Sequence, residues 1–287
     1  MGRWERSERI AQYYAGASVV ITGAGSGIGR LMAERIAEEG GDVAIWDIND
    51  KAAQATADAI NHSPTATGRA FAFAVDVTDA NAVAQAAERT AAALGKVNVL
   101  INNAGVVSGN DFENLTEKQI RRTFEVNALS LYWTNKAFLP YLRRQARAAT
   151  VTVASAAGLV ATARQTDYAA SKFAAVGFTN ALRSELKKAG SHIHTLLVCP
   201  YYINTGMFEG VTTKFPLLLP ILSQERVADS IVRSIATGRE RLIMPPFAAV
   251  STIVAALPPK IADPIYSFFG INDCMDHFVG RAGSKRA

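Results

Sequence analysis

Cysteine is nearly absent from this sequence. Cys199 and Cys274 are the only two, far apart and without metal-type spacing. That excludes a disulfide framework and suggests a reducing compartment, with both thiols read as small buried hydrophobes. The four histidines, His62, His192, His194 and His277, do not cluster, so no metal site is expected. Long apolar runs are also missing. The longest, Phe247 to Leu257, sits between two Pro-Pro pairs and makes about 16 Å of helix, short of the ~30 Å core of a bilayer. Met1 to Arg9 is charged and lacks an apolar stretch, so neither a signal peptide nor an N-terminal anchor is expected. No sign of charge dominates. The net charge is +5, scattered except for a small cluster at Arg281, Lys285 and Arg286. That argues against nucleic-acid binding and leaves room for a weak attraction to anionic lipid. Cytoplasmic placement is expected, with peripheral membrane contact left open.

What is present is alternation. The chain has 287 residues, 49% of them apolar, and no repeats or low-complexity linker. One α/β domain spanning 1–287 is the expectation. Strand-like runs fall at 17–22, 42–47, 69–75, 97–101, 149–154, 192–199 and 240–244. Helical patterns lie between them, notably at 116–147 and 167–189. This order predicts a doubly wound parallel sheet of about seven strands with helices on both faces. Ligands of such sheets bind beyond the carboxyl ends of the strands.

The first strand runs into Thr22-Gly23-Ala24-Gly25-Ser26-Gly27-Ile28-Gly29. A helix follows, with Leu31, Met32, Ile36 and Ala37 at helical spacing, and Gly40-Gly41 stops it. The second strand, Asp42 to Trp46, ends at Asp47. Strand, glycine loop, helix, strand and acid is the order that dinucleotide binding requires. The glycines let the backbone approach a pyrophosphate, and the helix N-terminus favours its charge. Asp47 suits a ribose with both hydroxyls free and would repel a 2′-phosphate, so NAD is expected over NADP. Neither Ile48 nor Asn49 is basic, and position 26 is serine; Arg30 is assigned to the surface. The competing reading of Asp47 is a cap for the next helix.

Tyr168 and Lys172 lie four residues apart, on one face of a helix. A nearby ammonium favours the phenolate and lowers its ordinary pKa of ~10. The pair is a candidate general acid or base for a carbonyl or alcohol. Ser155, at the end of Val151-Thr152-Val153-Ala154, offers a hydroxyl to the same oxygen.

On these motifs the chain resembles the short-chain dehydrogenase/reductase family over roughly residues 15–245. Thr22-Gly23-x-x-x-Gly27-Ile28-Gly29, Asp76-Val77, Asn102-Asn103-Ala104-Gly105, Asn127, Ser155 and Tyr168-x-x-x-Lys172 stand in the family's order. The resemblance implies an NAD(P)-dependent oxidoreductase. Gly23, Ser26, Gly27, Ile28, Gly29, Asp47 and Ile48 would hold the cofactor, with Asp76 and Val77 at adenine and Asn103, Ala104 and Gly105 at adenosine. Lys172 would bind the nicotinamide ribose. Pro200, Ile203 and Thr205 would flank the carboxamide, although Tyr201 stands where the family commonly has glycine. Asn127 would hold a water contacting Lys172. Asp76 as a helix cap and Asn127 as a buried helix amide are the bland alternatives.

Several stretches, among them Phe124-Glu125-Val126-Asn127 and Cys199-Pro200-Tyr201-Tyr202-Ile203-Asn204-Thr205-Gly206-Met207-Phe208, are similar to the branch with retinol dehydrogenases and lipid-droplet 17β-hydroxysteroid dehydrogenases. The expected substrate is a small hydrophobic alcohol or carbonyl. Val107, Leu159, Met207, Phe208, Val211 and Phe215 are its expected contacts, under a helical lid at 206–222. An extension at 246–287 either covers the pocket, packs on another subunit or meets a membrane. Homodimers or homotetramers are expected, because the helices from 116 and 167 carry the surfaces this family commonly uses. The alternative function is a non-catalytic NAD-binding or lipid-surface protein of the same fold.

Overall fold

A computed structural model of the chain describes residues 3–280. The basic cluster of Arg281, Lys285 and Arg286 lies outside them. The strands are β1 (Ser18–Thr22), β2 (Asp42–Asp47), β3 (Ala70–Ala74), β4 (Val99–Asn102), β5 (Ala149–Val153), β6 (His194–Pro200) and β7 (Arg241–Met244). All pair in parallel, in the order β3-β2-β1-β4-β5-β6-β7. Each begins and ends within two residues of the run expected from sequence. The winding reverses between β1 and β4, which opens a crevice beyond their carboxyl ends.

Ten helices accompany the sheet among the described residues: α1 (Arg3–Tyr14), α2 (Gly27–Glu38), α3 (Asp50–Asn61), α4 (Ala80–Leu94), α5 (Glu117–Phe124), α6 (Ser130–Leu142), α7 (Thr166–Lys188), α8 (Gln224–Ala236), α9 (Val250–Val254) and α10 (Pro259–Phe268). Strand side chains alternate between two cores. Val19, Ile21, Val43 and Ile45 pack with Met32 and Ile36 of α2 and Val227 and Ile231 of α8. Val20, Ala44 and Trp46 pack with Val83 and Ala86 of α4 and Phe138 of α6. Burial on both faces is why the strands read as continuous apolar runs. Each fully buried Val or Ile contributes roughly 1.5–3 kcal/mol, against an ordering entropy of similar total size.

Two elements differ from expectation. The stretch 116–147 is not one helix. A capping box of Thr116 and Gln119 starts α5, a π turn at Glu125–Leu129 interrupts, and α6 ends at Leu142. Polar side chains at the break compete for backbone groups: Ser130 Oγ donates to Val126 O at 2.6 Å, and Asn127 reaches out to the Val106 peptide. The segment 206–222 is built of turns, not helix. Pro216 and Pro220 break it, and Gly206 and Gly210 have φ of +77° and +86°. The helical cover comes instead from the extension, through a 3₁₀ turn at Pro246–Ala249, then α9 and α10. Main-chain bonds seat the extension on the turns: Thr212 N–H donates to Cys274 O at 3.1 Å and Val279 N–H to Glu209 O at 2.8 Å. Arg164 Nη1 donates to the carbonyls of Met275 and Asp276 at 2.9 and 3.0 Å.

Candidate active site

A groove of about 390 Å³ lies beyond the carboxyl ends of the central strands. The glycine loop is its floor. Ser26 starts α2 with extended backbone, its side chain makes no cap bond, and the first turn holds no acid. The N–H groups and positive dipole end of α2 are therefore left for an anion. Gly23 and Gly27 have φ of +64° and +57°, conformations that side chains disfavour. A Cβ on Gly23 would come 2.9 Å from Ala104 Cα, and one on Gly29 would strike the Gly23 carbonyl and come 2.6 Å from Asn103 Nδ2. Missing side chains thus make the cradle, which fits a pyrophosphate pressed against main chain. Asn103 braces it by donating Nδ2–H to the carbonyls of Thr22 and Gly23 at 2.9 and 3.1 Å. Thr22 Oγ1 accepts from the amides of Asn103 and Ala104, both at 3.0 Å.

Asp47 is not the cap of the next helix. Asn49 fills that place, accepting from Ala52 N–H at 3.1 Å. Asp47 Oδ2 accepts from Gly25 N–H and Oδ1 from Asn49 N–H, both at 2.9 Å. The carboxylate lines the groove beside Ile48, which is 59% exposed. Asp76 accepts from Thr78 N–H and Oγ1–H at 3.0 and 2.7 Å, while Asp79 caps α4. Burial pushes the Asp76 carboxyl up. The Thr78 bonds and Arg122, 3.6 Å away, outweigh it and hold the carboxyl below its ordinary range. Arg122 also lines the groove. The sequence gives no sign of it, because it arrives from α5. Every residue expected at the cofactor, including Val77, Gly105, Pro200, Ile203 and Thr205, lines this groove.

At the groove's inner end stand Ser155, Tyr168 and Lys172. Tyr168 and Lys172 are 4% exposed. Lys172 Nζ lies 5.6 Å from the Tyr168 ring centre and donates to Val153 O at 3.0 Å. Burial pushes the Tyr168 phenol up to about 12, eased by a hydrogen bond from Ser155. Burial brings the Lys172 ammonium down to about 8. The expectation that the Lys172 ammonium lowers the phenol is therefore corrected for the protein by itself: burial is the larger influence, and the phenol lies above its ordinary value. Asn127 lies in the π turn. Its Oδ1 accepts from Val106 N–H at 2.9 Å, and its Nδ2 donates to Val106 O and Ser171 Oγ at 2.9 and 3.0 Å. Both amide hydrogens are thus used, Oδ1 keeps one lone pair for a water, and no direct bond runs from the amide to Lys172. Asp167, missed in the sequence, accepts from Ser108 Oγ and Thr123 Oγ1 at 2.6 and 2.7 Å. It ties the loop after β4 and helix α5 to the first turn of α7.

A second, apolar chamber of about 90 Å³ shares Ser155, Tyr168, Tyr201 and Phe208 with the groove. Phe247, Val254, Ile265, Phe269 and Ile271 of the extension form much of its wall, with Val160 and Leu219. Phe208 meets Tyr168 edge to face, 5.9 Å between ring centres. Of the six expected substrate contacts, Phe208 lines both cavities and Met207 only the groove. The other four need correction. Leu159 packs with Leu131 and Cys199 in the core. Val211 packs with Tyr202 and Met275. Phe215 stacks on Phe268, and Val107 lines neither cavity. Apolar lid residues were drawn into packing the extension down, and so turned away from the chamber.

A sequence model of the family described as short chain dehydrogenase matches residues 17–215. The chain belongs to the short-chain dehydrogenase family. Its relatives include short-chain dehydrogenase/reductase family 16C member 6 of Bos taurus, 44% identical over 94% of this chain and 85% of the relative. Epidermal retinol dehydrogenase 2 of Mus musculus is 37% identical over 93% and 86%. Retinol dehydrogenase 10 of Homo sapiens is 35% identical over the same shares. A short chain dehydrogenase/reductase from Burkholderia phymatum, solved in complex with NAD, superposes with a TM-score of 0.74 at 27% identity, covering 84% of this chain and 93% of that one. A metagenomic short-chain oxidoreductase in complex with NADP shares the fold at a TM-score of 0.66 and 23% identity, over 80% of this chain and 97% of its own. Among the described residues, no helix of this dehydrogenase-family chain is long and apolar enough to cross a membrane.

Proposed function

We propose that this protein is an NAD-dependent oxidoreductase that interconverts an apolar alcohol and its aldehyde or ketone. The carrying observation is that Ser155 and Tyr168 line both cavities, the polar groove and the apolar chamber. A group with both neighbours can move a proton where a hydride crosses between them. The carboxylate of Asp47 and the absence of a basic side chain at Ile48 and Asn49 favour a free ribose diol, hence NAD. The chamber's aromatic and aliphatic wall favours retinoid-, steroid-, long-chain- or aryl-alcohol-like substrates, in keeping with the retinol dehydrogenases among the relatives.

When bound, the nicotinamide supplies the centre that accepts or returns hydride. The chain's own residues do the rest. Ser155 and Tyr168 hold the substrate oxygen. Tyr168 Oη takes the hydroxyl proton in oxidation and returns it in reduction. Lys172 must keep its charge to stabilise the phenolate, and it binds the nicotinamide ribose. Asn127 and a water carry the proton onward to solvent. Tyr168→Phe tests the role. Turnover of apolar alcohols should fall by at least about 100-fold, while titration with NADH still shows binding. Turnover within a few fold of wild type sinks the assignment.

Two surfaces belong to the same proposal. Ile253, Ile261 and Phe268 are 69%, 51% and 62% exposed on the helices that wall the chamber, and Leu217 is 97% exposed beside them. This face suits a peripheral lipid contact, which co-flotation with vesicles would reveal and which fails if the protein stays in the soluble fraction. Leu129 at the end of the π turn, Tyr132 of α6 and Phe173 of α7 expose apolar surface. They suit a homodimer or homotetramer, and a monomer by light scattering would refute it.

A further inference from the structure

Among the described residues two cations line the groove, Lys172 and Arg122. Lys172 serves the inner end, beside Tyr168. Arg122 has no part in that chemistry. It stands at the other end of the groove, against Asp76 beyond the edge strand β3. Its neighbour on α5 shows what an ordinary surface arginine does here. Arg121 is 70% exposed and pairs with Glu117 of its own helix at 2.6 Å. Arg122 instead crosses from α5 to the loop after β3. Its Nη1 donates to Thr78 Oγ1 at 3.3 Å and lies 3.6 Å from Asp76 Oδ1. An ion pair whose partners are 40% and 38% exposed adds little to stability, so the fold alone gives weak reason for that reach.

The partners already taken decide what is left for a ligand. Thr78 N–H and Thr78 Oγ1–H both donate to Asp76 Oδ1, the same oxygen that Arg122 approaches. No hydrogen bond among the described residues reaches Oδ2, so one acceptor of this carboxylate stays open. A guanidinium bonds through its edge and leaves its planar faces for stacking. Here the edge is pinned to Thr78 while the side chain lines the groove. Ile48 adds an exposed aliphatic surface to the same groove from the end of β2. An acceptor, a flat cation and an aliphatic surface together suit a flat heteroaromatic ring that carries an amino group. A ring whose edge meets Asp76 has to lie beside Arg122, since the two side chains touch the same spot. The Asp76 charge disfavours a phosphate there.

We propose that Arg122 is a cofactor-binding residue that takes the adenine base of the dinucleotide on the face of its guanidinium, while Asp76 Oδ2 accepts from the base's amino group. This rests on the dinucleotide-binding reading of the groove and is independent of which alcohol reacts. A cation over a π face attracts it. Thr78 fixes the guanidinium before the cofactor arrives, so little side-chain freedom is lost on binding.

The test is titration of the full chain with NADH, followed by its fluorescence, and with ADP-ribose, followed by calorimetry. ADP-ribose keeps the adenosine and lacks the nicotinamide. NADPH is titrated in parallel. Arg122→Leu should weaken NADH and ADP-ribose alike by about tenfold. Arg122→Lys keeps the charge without the plane and should recover no more than about threefold of that loss. Both variants, without cofactor, should keep a thermal midpoint within about 2 °C of wild type. Unchanged affinity of Arg122→Leu for NADH and ADP-ribose overturns the assignment. Full recovery by Arg122→Lys overturns it in favour of a simple charge, and a loss larger for NADPH than for NADH overturns it in favour of a 2′-phosphate contact. Weakened binding with a midpoint lowered well beyond that margin overturns it in favour of a structural role. Each of these leaves the groove reading standing, because wild type binds. A wild type that binds neither NADH nor ADP-ribose removes the dinucleotide reading and this assignment with it.

Discussion

The groove and the chamber meet at Ser155 and Tyr168, yet they are made in opposite ways. Main chain builds the groove. Its floor needs glycine where φ is positive and where a Cβ would strike Ala104 or the Gly23 carbonyl. Its polar groups sit at strand ends that the sheet brings together. Side chains build the chamber, and they come from turns and from an extension folded back over the fold. Geometry dictates residue type in the first region. In the second, any apolar side chain of suitable size serves, and only packing decides which ones face the ligand.

Variants on the two sides should therefore separate. The largest effect is expected in the groove. Gly29→Ala places a Cβ against the Gly23 carbonyl and 2.6 Å from Asn103 Nδ2. The loop must shift, and NADH affinity should fall by about 100-fold or more; titration at unchanged far-ultraviolet dichroism checks this, and wild-type affinity would refute the cradle.

Next comes Lys172→Met, which should abolish turnover and stabilise the fold. The folded pKa of about 8 lies below the ordinary 10.5, because burial disfavours the ammonium. The folded state thus binds fewer protons between those values, and stability rises with pH across that window. Below about pH 8 the full penalty applies. Removing the charge should raise unfolding free energy at pH 7 by about 3 kcal/mol and flatten the rise between pH ~8 and ~10.5. An unchanged stability profile in denaturant titrations at both pH values would contradict it. For the wild type, kcat/KM for NADH in the reduction direction should hold below about pH 8 and decline above it as Lys172 loses its charge.

The smallest effect is expected in the chamber. Phe269→Ala opens the wall, and KM for an apolar alcohol should rise about tenfold with KM for NAD unaltered. Leu159→Ala is its control in the core: it should lower stability by about 2–5 kcal/mol and leave the ratio of the two KM values in place. A KM effect from Leu159 without loss of stability would show that the division between core and chamber is misdrawn.

The same difference explains what could be read from the sequence. The seven strands were legible because both sheet faces are buried, so apolar runs mark them. The groove residues were legible because the loop, Asp47 and Asp76 follow strands at set places. The π turn was not, since α5 and α6 share one helical pattern and the break comes from side-chain bonds of Asn127 and Ser130. Arg122 and Asp167 act across the fold, from partners 46 and 44 residues away or more. Val211 and Phe215 misled because apolar residues in a turn-rich segment serve packing and ligand alike. The extension could be recognised as aromatic, but not placed over the chamber. The raised phenol of Tyr168 was hidden for another reason: spacing shows a neighbouring charge, and only the fold shows the loss of water around it.

The most direct measurement follows NADH formation by absorbance. Purified protein is given NAD or NADP with apolar mono-alcohols, apolar diols and polar polyols. The account predicts turnover with NAD on apolar alcohols, little with NADP and little on polyols. Equal or better turnover with NADP, or preference for polyols, would contradict the reading of Asp47 or of the chamber respectively. No turnover at all, with NADH bound, would contradict the assignment of this protein as an alcohol-oxidising enzyme.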